Sequence, residues 1–259
     1  MRIAITRGVS AAIGRCELAH LPRVPIDVGL AREQHRAYER LLSRLGCRVQ
    51  PIPASSGLPD SVFVEDIAIV VDELAILTRP GAEPRRLETP AVADRLREYR
   101  RLESIEEPGT LDGGDVIADG RNVFVGRSRR TNDDGIAQLQ RHLDPYGYQV
   151  RPVDVHGCLH LKSAATPVDE GLMLVNPEWV PPQAFDDYDR LEVDPAEPYA
   201  ANTLRIGRSL VYADAYPRTR ARLERRGLIV HPVDVSELAK AEGAVTCCSL
   251  IFAPLPAGV

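Results

Sequence analysis

The chain has 259 residues, 44% hydrophobic and 27% charged, enough to bury a substantial core as one large domain or two small ones. Its 32 basic residues stand against 37 acidic ones, for a net charge of −5; the arginines are interspersed with acids and form no sustained basic run, which argues against nucleic-acid binding. No stretch approaches ~18 consecutive apolar residues, so no membrane span is expected.

The opening MRIAITRGV reads as a strand, without an apolar core long enough for a secretory signal. A helical pattern over Arg32–Leu45 ends at Gly46 and leads to Val49-Gln-Pro51. Next come the β-rich runs SVFVEDIAIVV and LAILTRP, then a helix near Pro90–Arg101 followed by Ile105–Pro108. The runs LDGGDVIA and NVFVG precede a helix over Thr131–Leu143, where Asn132 and Asp133 supply N-cap chemistry. After it comes GYQVRPVDV at 147–155. CLHLKSAAT and GLMLVNP lead to Val193-Asp-Pro195. TLRIG and SLVYAD lead to a helix over Arg218–Arg226, then GLIVHPVDV at 227–235 and the last β-rich run, AVTCCSLIFA.

The two nine-residue matches and the recurring V-x-P define a repeat. Its unit is helix, strand, strand, strand, present about five times at spacings of 37 to 56 residues. One helix per three short strands is not the strict βαβ alternation of a doubly wound sheet. Five units around an axis would place small sheets inside and helices outside. An α+β sheet with chance V-x-P echoes is the plainer alternative. The five cysteines, Cys16, Cys47, Cys158, Cys247 and Cys248, are odd in number and contain no CxxC pair, which favours reduced thiols in a cytoplasm.

Residues able to do chemistry fall on the β-rich runs. Asp60, Glu65 and Asp66 surround one expected strand, along which Glu65 and Asp66 would face opposite ways. A carboxylate on an apolar face is unfavourable unless paired, although a solvated strand end would explain Asp60 as well. Leu111-Asp-Gly-Gly-Asp115 pairs two acids with two glycines that permit positive φ or close backbone approach. His156, Cys158 and His160 alternate along a run and could hold zinc; equally, His160 could be a single catalytic or core histidine. Cys247 and Cys248 are neighbours, so at most one faces any one pocket, and either could be a small buried hydrophobe. Arg79, Arg85, Arg86, Arg127, Arg129 and Arg130 lie in loops after strands, where guanidinium groups clamp carboxylates or stay in solvent.

VFVED, TRPGA, LDGGDV, FVGRSRRTN, LHLKS and TCCS, in this order and spanning Arg2 to Phe252, resemble the dimethylarginine dimethylaminohydrolases of the guanidine-modifying pentein superfamily. The resemblance implies an α/β fold, a five-bladed α/β propeller of pseudo-fivefold ββαβ repeats, as a single catalytic domain over 1–259. It implies hydrolysis of Nω-methylated arginines to citrulline and a methylamine, with no cofactor and no metal. On the matching positions, Cys247 resembles the nucleophile, His160 the general acid and base, and Asp112 the carboxylate associated with it. Asp66 and Glu65 match the acidic floor that grips the guanidinium. Asp60 and the Leu18 carbonyl match the holders of the α-amino group, and Arg85 and Arg130 the clamp on the α-carboxylate. Some relatives carry Glu where this chain has Asp112.

The target carbon belongs to a delocalised cation, so a thiolate is the fitting nucleophile. A bound guanidinium beside the sulfur would favour that thiolate over a free thiol of pKa ~8.5. The partner expected is therefore a small molecule, methylated arginine, with no nucleic acid and no membrane; a homodimer is left open. Three rivals stand beside this reading: a deiminase acting on unmethylated arginine, a zinc hydrolase built on His156, Cys158 and His160, and a non-catalytic propeller like the ribosome anti-association factor of the same fold.

Overall fold

Short apolar runs buried on both faces set the architecture. In the computed structural model of the protein, which describes residues 1–255, β1 (Arg2–Arg7) is buried from Ile3 onward. The chain continues with helix α1 (Val28–Arg44) and β2 (Cys47–Ile52), then β3 (Ala68–Val70), β4 (Leu74–Leu77), α2 (Thr89–Leu96) and β5 (Arg101–Ser104). Next come β6 (Val116–Asp119), β7 (Asn122–Arg127), α3 (Asp133–Leu143) and β8 (Gln149–Asp154). A one-turn helix α4 (Leu161–Ala164) precedes β9 (Ala165–Asp169), β10 (Leu172–Val175) and β11 (Asp189–Glu192). The last strands are β12 (Thr203–Ile206), β13 (Ser209–Ala213), then α5 (Pro217–Arg225), β14 (Ile229–Val233), one-turn α6 (Ser236–Ala239) and β15 (Leu250–Phe252).

These strands form five three-stranded sheets, β15-β1-β2, β3-β4-β5, β6-β7-β8, β9-β10-β11 and β12-β13-β14. In each, the middle strand is antiparallel to the first and parallel to the third. The expected five-bladed propeller is therefore present, with the unit read as ββαβ. Middle strands such as LAIL of β4 are buried throughout, because both faces pack. Third strands lie at sheet edges, and three of them carry the V-x-P: Pro51 stands opposite Thr6, Pro152 opposite Val125, and Pro232 opposite Tyr212. An edge strand is paired on one side only, which is where a residue without an N–H is tolerated.

The helix termini follow local chemistry. Asn132 accepts the Gly135 N–H at the start of α3, and Asp27 accepts the Leu30 N–H at the start of α1, which begins at Val28 rather than at Arg32. Gly46, Gly147 and Gly227 take φ of 87°, 75° and 81°, the left-handed turn that carries each chain from its helix to the third strand. The fourth blade differs: Pro182–Phe185 forms only a 3-10 turn where the others have a helix. Phe185 fills the space, set edge-on to Phe124 with ring centroids 4.9 Å apart.

The core lies between blades. Ile3 and Ile5 of β1 pack with Val92, Ala93 and Leu96 of α2, and Ile76 of β4 packs with Ile136, Leu139 and Leu143 of α3. The first strands face the axis, where Ile69, Val116, Thr166, Thr203 and Ile251, one from each blade, line a channel of about 550 Å³. Among the described residues, no helix is long and apolar enough to cross a membrane. Three expected strands are turns instead: Val64–Ile67 is a 3-10 turn, 157–160 is a bend leading into α4, and 245–248 is a turn before β15.

Candidate active site

Those three turns share one structural position: each immediately precedes the inner strand of its blade. Asp66 lies before β3, Asp112 before β6, His160 before β9, Asn202 before β12 and Cys247 before β15. Pseudo-fivefold symmetry brings all five segments to the axis at one end of the propeller.

Hydrogen bonds join neighbouring segments into a closed ring. The Glu65 N–H donates to the Cys247 carbonyl at 3.2 Å, and the Gly114 N–H to Asp66 Oδ1 at 3.0 Å. The Leu161 N–H donates to Asp115 Oδ1 at 2.9 Å, and Asn202 Nδ2 to the Lys162 carbonyl at 3.0 Å. The Thr246 N–H closes the circle on Asn202 Oδ1 at 3.1 Å. This satisfies buried backbone groups that no sheet reaches, and it explains why β-rich sequences form turns here: hydrogen bonds to the neighbouring blade outweigh local propensity.

Asp60, Asp66, Arg85, Arg130, His160 and Cys247 line one small pocket, together with Glu17, Phe63, Leu159, Ala241 and Glu242. Its volume is only about 10 Å³, room for about one water. Asp112, fully buried, lies 3.0 Å through Oδ2 from His160 Nε2 and accepts the Gly81 N–H at 2.8 Å through Oδ1. His160 Nδ1 lies 3.8 Å from Asp66 Oδ1. Burial disfavours the imidazolium, yet Asp66, the Asp112 hydrogen bond and Asp115 outweigh it and raise the His160 pKa to about 9. Burial also opposes ionisation of Asp66, but His160 and Arg85 hold its carboxyl below the usual range. The Cys247 thiol is pushed up to about 12, first by burial and then by the charges of Glu65 and Asp66. Its Sγ accepts the Ala244 N–H at 3.4 Å. A protonated thiol thus lies beside an imidazolium near neutral pH.

Three expectations meet the structure differently. Glu65 does not share the pocket floor with Asp66. Its Oε1 takes Lys162 Nζ at 2.6 Å and its Oε2 the Thr246 hydroxyl at 2.7 Å, and it closes the inner end of the axial channel. Arg85 is not free as a carboxylate clamp: it is buried against Asp66 Oδ2 at 2.5 Å and Glu88 Oε2 at 2.9 Å. Leu18, expected to act through its carbonyl, packs its side chain against the core cluster that holds Val9 and Ile13, and its neighbour Glu17 lines the pocket. The zinc set does not assemble: His156 is exposed, while Cys158 is buried with Sγ on the His160 carbonyl.

Asp60 is buried rather than at a solvated strand end, and it accepts the Glu17 N–H at 3.1 Å. Arg130 reaches Asp112 Oδ2 at 3.4 Å. Cys248 is fully buried and turned away, with Sγ 3.5 Å from the Ala244 carbonyl. Asp66, Asp112 and His160 could together face a cation, their donor atoms lying within 4.8 Å of one another. Gly114, Gly81, Arg85 and one another already occupy them.

Several residues escaped sequence reasoning. Asp115 takes Ser128 and Thr131 hydroxyls at 2.6 and 2.7 Å besides Leu161; burial raises its pKa to about 6. Its signal was present in the second acid of D-G-G-D. The two glycines there serve close approach: a Cβ on Gly114 would lie 2.5 Å from His160 Nδ1, and one on Gly113 2.0 Å from the Glu65 carbonyl oxygen. Asn202 and Glu242 carried no local signal.

A family model described as N,N dimethylarginine dimethylhydrolase, eukaryotic, matches residues 26–183. The chain is 36% identical over 228 residues to the N(G),N(G)-dimethylarginine dimethylaminohydrolase of Pseudomonas aeruginosa, covering 87% of this chain and 90% of that one. It is 38% identical over 249 residues to the protein of the same name from Streptomyces coelicolor, covering 95% of each. A cysteine-to-serine variant of the Pseudomonas enzyme complexed with citrulline superposes with a TM-score of 0.93 at 34% identity, over 96% of this chain and 98% of that one. The N-terminal domain of a cyanobacterial arginine dihydrolase shares the fold, with a TM-score of 0.86 at 18% identity over 98% of this chain and 99% of that one.

Proposed function

The chain belongs to the dimethylarginine dimethylaminohydrolase family, and we propose that it hydrolyses Nω-methylated arginines to citrulline and methylamine or dimethylamine, with residues 1–259 acting as one catalytic unit. The observation that carries the assignment of roles is that Asp66, on the floor beside His160 and Cys247, already holds a guanidinium, that of Arg85.

On entry the substrate guanidinium takes Oδ2 of Asp66 from Arg85. The freed Arg85 turns, with Arg130, to the α-carboxylate, and Asp60 and the Leu18 carbonyl receive the α-amino group. Seating a cation beside a thiol whose pKa lies at about 12 favours loss of its proton to water. The Cys247 thiolate then attacks the guanidinium carbon, forming a C–S bond. His160, an imidazolium below its pKa of about 9, gives its proton to the methylated nitrogen as that C–N bond breaks and the amine leaves. The neutral imidazole next removes a proton from water, whose oxygen attacks the same carbon. The C–S bond breaks, citrulline leaves and the thiolate returns. Asp112, bonded to Nε2 of His160, orients the ring and stabilises its charged form. Glu65 acts from behind, bracing Thr246 and Lys162 under the cysteine turn. The five free cysteines support a reducing, cytoplasmic setting.

The test is citrulline release by purified protein from asymmetric dimethylarginine, monomethylarginine and arginine, each with and without EDTA, beside Cys247→Ser. Citrulline from the methylated substrates alone, indifferent to EDTA and lost in the variant, supports the reading. Turnover of arginine instead would keep the chemistry and change the substrate. Near-normal activity of Cys247→Ser would overturn the scheme.

A further inference from the structure

Between Cys16 and Asp27 the chain forms no helix or strand, yet it walls the catalytic pocket through Glu17 and an adjoining apolar cavity of about 170 Å³ through His20 and Leu21. What fixes it is Glu242. The carboxylate accepts the N–H groups of three consecutive residues: Ala19 at 3.1 Å and 3.0 Å to its two oxygens, and His20 and Leu21 each at 2.6 Å to Oε1. Successive backbone N–H groups turned to one point form an anion-binding nest, and here the anion is a side chain more than 200 residues away in sequence. Glu242 lines both cavities and stands between them.

A second observation is conformational. Glu242 has φ of +58°, the one non-glycine residue in the left-handed region among those described. Glycine is the ordinary occupant of such a position, and a glutamate is held there only where its surroundings over-determine it. The next residue is a glycine, Gly243, and it does not take the left-handed turn. The same stretch also grips the segment further along, with Glu237 accepting the Asp27 N–H at 2.8 Å and Lys240 Nζ donating to the Pro25 carbonyl at 3.2 Å.

We propose that Glu242 is a positioning residue for the amino-acid end of the substrate, holding Ala19–Leu21 so that the Leu18 carbonyl and the Glu17-bound Asp60 carboxylate form the α-amino subsite. The inference rests on the function proposed above. Leu18 directly precedes the three captured amides, and the Glu17 N–H lies 3.1 Å from Asp60 Oδ1. The segment is thus tied at one end by the carboxylate that meets the ligand and at the other by Glu242. Glu242 reaches no reacting atom; it acts through the backbone it holds.

The experiment compares wild type with Glu242→Ala and Glu242→Gln in three measurements. Hydrogen exchange at the amides of residues 19–21 should accelerate in Glu242→Ala and less in Glu242→Gln, whose amide oxygen still accepts. With monomethylarginine, Glu242→Ala should raise KM roughly 10- to 100-fold with kcat within about threefold, whereas the Nω-methylated analogue lacking the α-amino group should distinguish the enzymes by less than about twofold. Inactivation by 2-chloroacetamidine, a small cation with no amino-acid end, should be unchanged within about twofold. Unchanged exchange at residues 19–21 would overturn the proposal. So would equal losses on both substrates and on the amidine, which would make Glu242 merely structural. A wild-type protein that turns over no methylarginine and resists the amidine would instead defeat the functional reading, while exchange would still report on the latch.

Discussion

The guanidinium of Arg85 lies on the carboxylate of Asp66 at 2.5 Å, both side chains buried, so the ligand-free pocket is filled by a group of the same chemistry as the ligand proposed for it. Arg85 also neutralises Glu88, which is 2% exposed. Arg85→Ala should therefore do more than raise KM. It leaves two buried carboxylates without their cation and should destabilise the fold by about 3 kcal/mol. Added arginine should raise the melting temperature of the variant more than that of wild type, because it supplies the missing guanidinium. An equal shift in both, measured by thermal unfolding, would contradict the exchange of Arg85 for substrate.

The Cys247 thiol, with its pKa at about 12, should react slowly with neutral reagents at pH 7 and faster as pH rises through the alkaline range. A cationic reagent carries its own charge to Asp66. Chloroacetamidine should inactivate the protein at least about 100-fold faster than chloroacetamide at pH 7, and Asp66→Asn should collapse that ratio. Matching pH profiles for the two reagents would show that the thiolate forms without help from bound charge.

His160 has its pKa raised to about 9, so the protonated form proposed to act as acid persists through neutral pH and is lost above it. The rate limb that falls at high pH should centre near about 9 in wild type and move down in Asp112→Asn, with kcat reduced roughly 10- to 100-fold. Stability follows the same sign: the contribution of His160 is complete below about 6.5, the unfolded value, and disappears as pH rises through about 9. Melting temperatures of wild type and His160→Gln should converge across that window.

Gly114→Ala tests close approach. An added Cβ would stand 2.5 Å from His160 Nδ1 and 2.7 Å from Asp66 Oδ1, so the two groups must separate. Displacement of about an ångström at reacting groups lowers turnover on the order of 100-fold. Gly14→Ala, where nothing lies within 4 Å, is the control and should leave kcat and stability unaltered. Steady-state kinetics with a circular-dichroism melt separates lost geometry from lost fold.

The repeat was legible because it is written into the edge strands: Val49, Val150 and Val230 occupy equivalent places, each followed two residues on by a proline that an edge accommodates. Cys247, His160, Asp66 and Asp112, the residues given catalytic roles in the proposed function, stood out as residue types grouped by motif. Their local structure did not. VEDI and TCCS lie where the chain turns into an inner strand, and what holds those turns comes from other blades: the Cys247 carbonyl for Glu65, and Asn202 for Thr246. The direction of Glu65 was hidden for the same reason, since its partner Lys162 sits 97 residues away. Glu242 had no pattern at all, because its meaning lies in a nest formed by a segment 221 to 223 residues earlier.

The order of residues along the ring also has a consequence for synthesis. Asp66, Asp112 and His160 leave the ribosome before Cys247, which directly precedes β15, the strand whose pairing with β1 joins the last blade to the first. Translation therefore supplies the proposed nucleophile only when the residues that close the circle are arriving. A chain that stops before Cys247 lacks both the proposed nucleophile and β15, the strand that completes the first sheet.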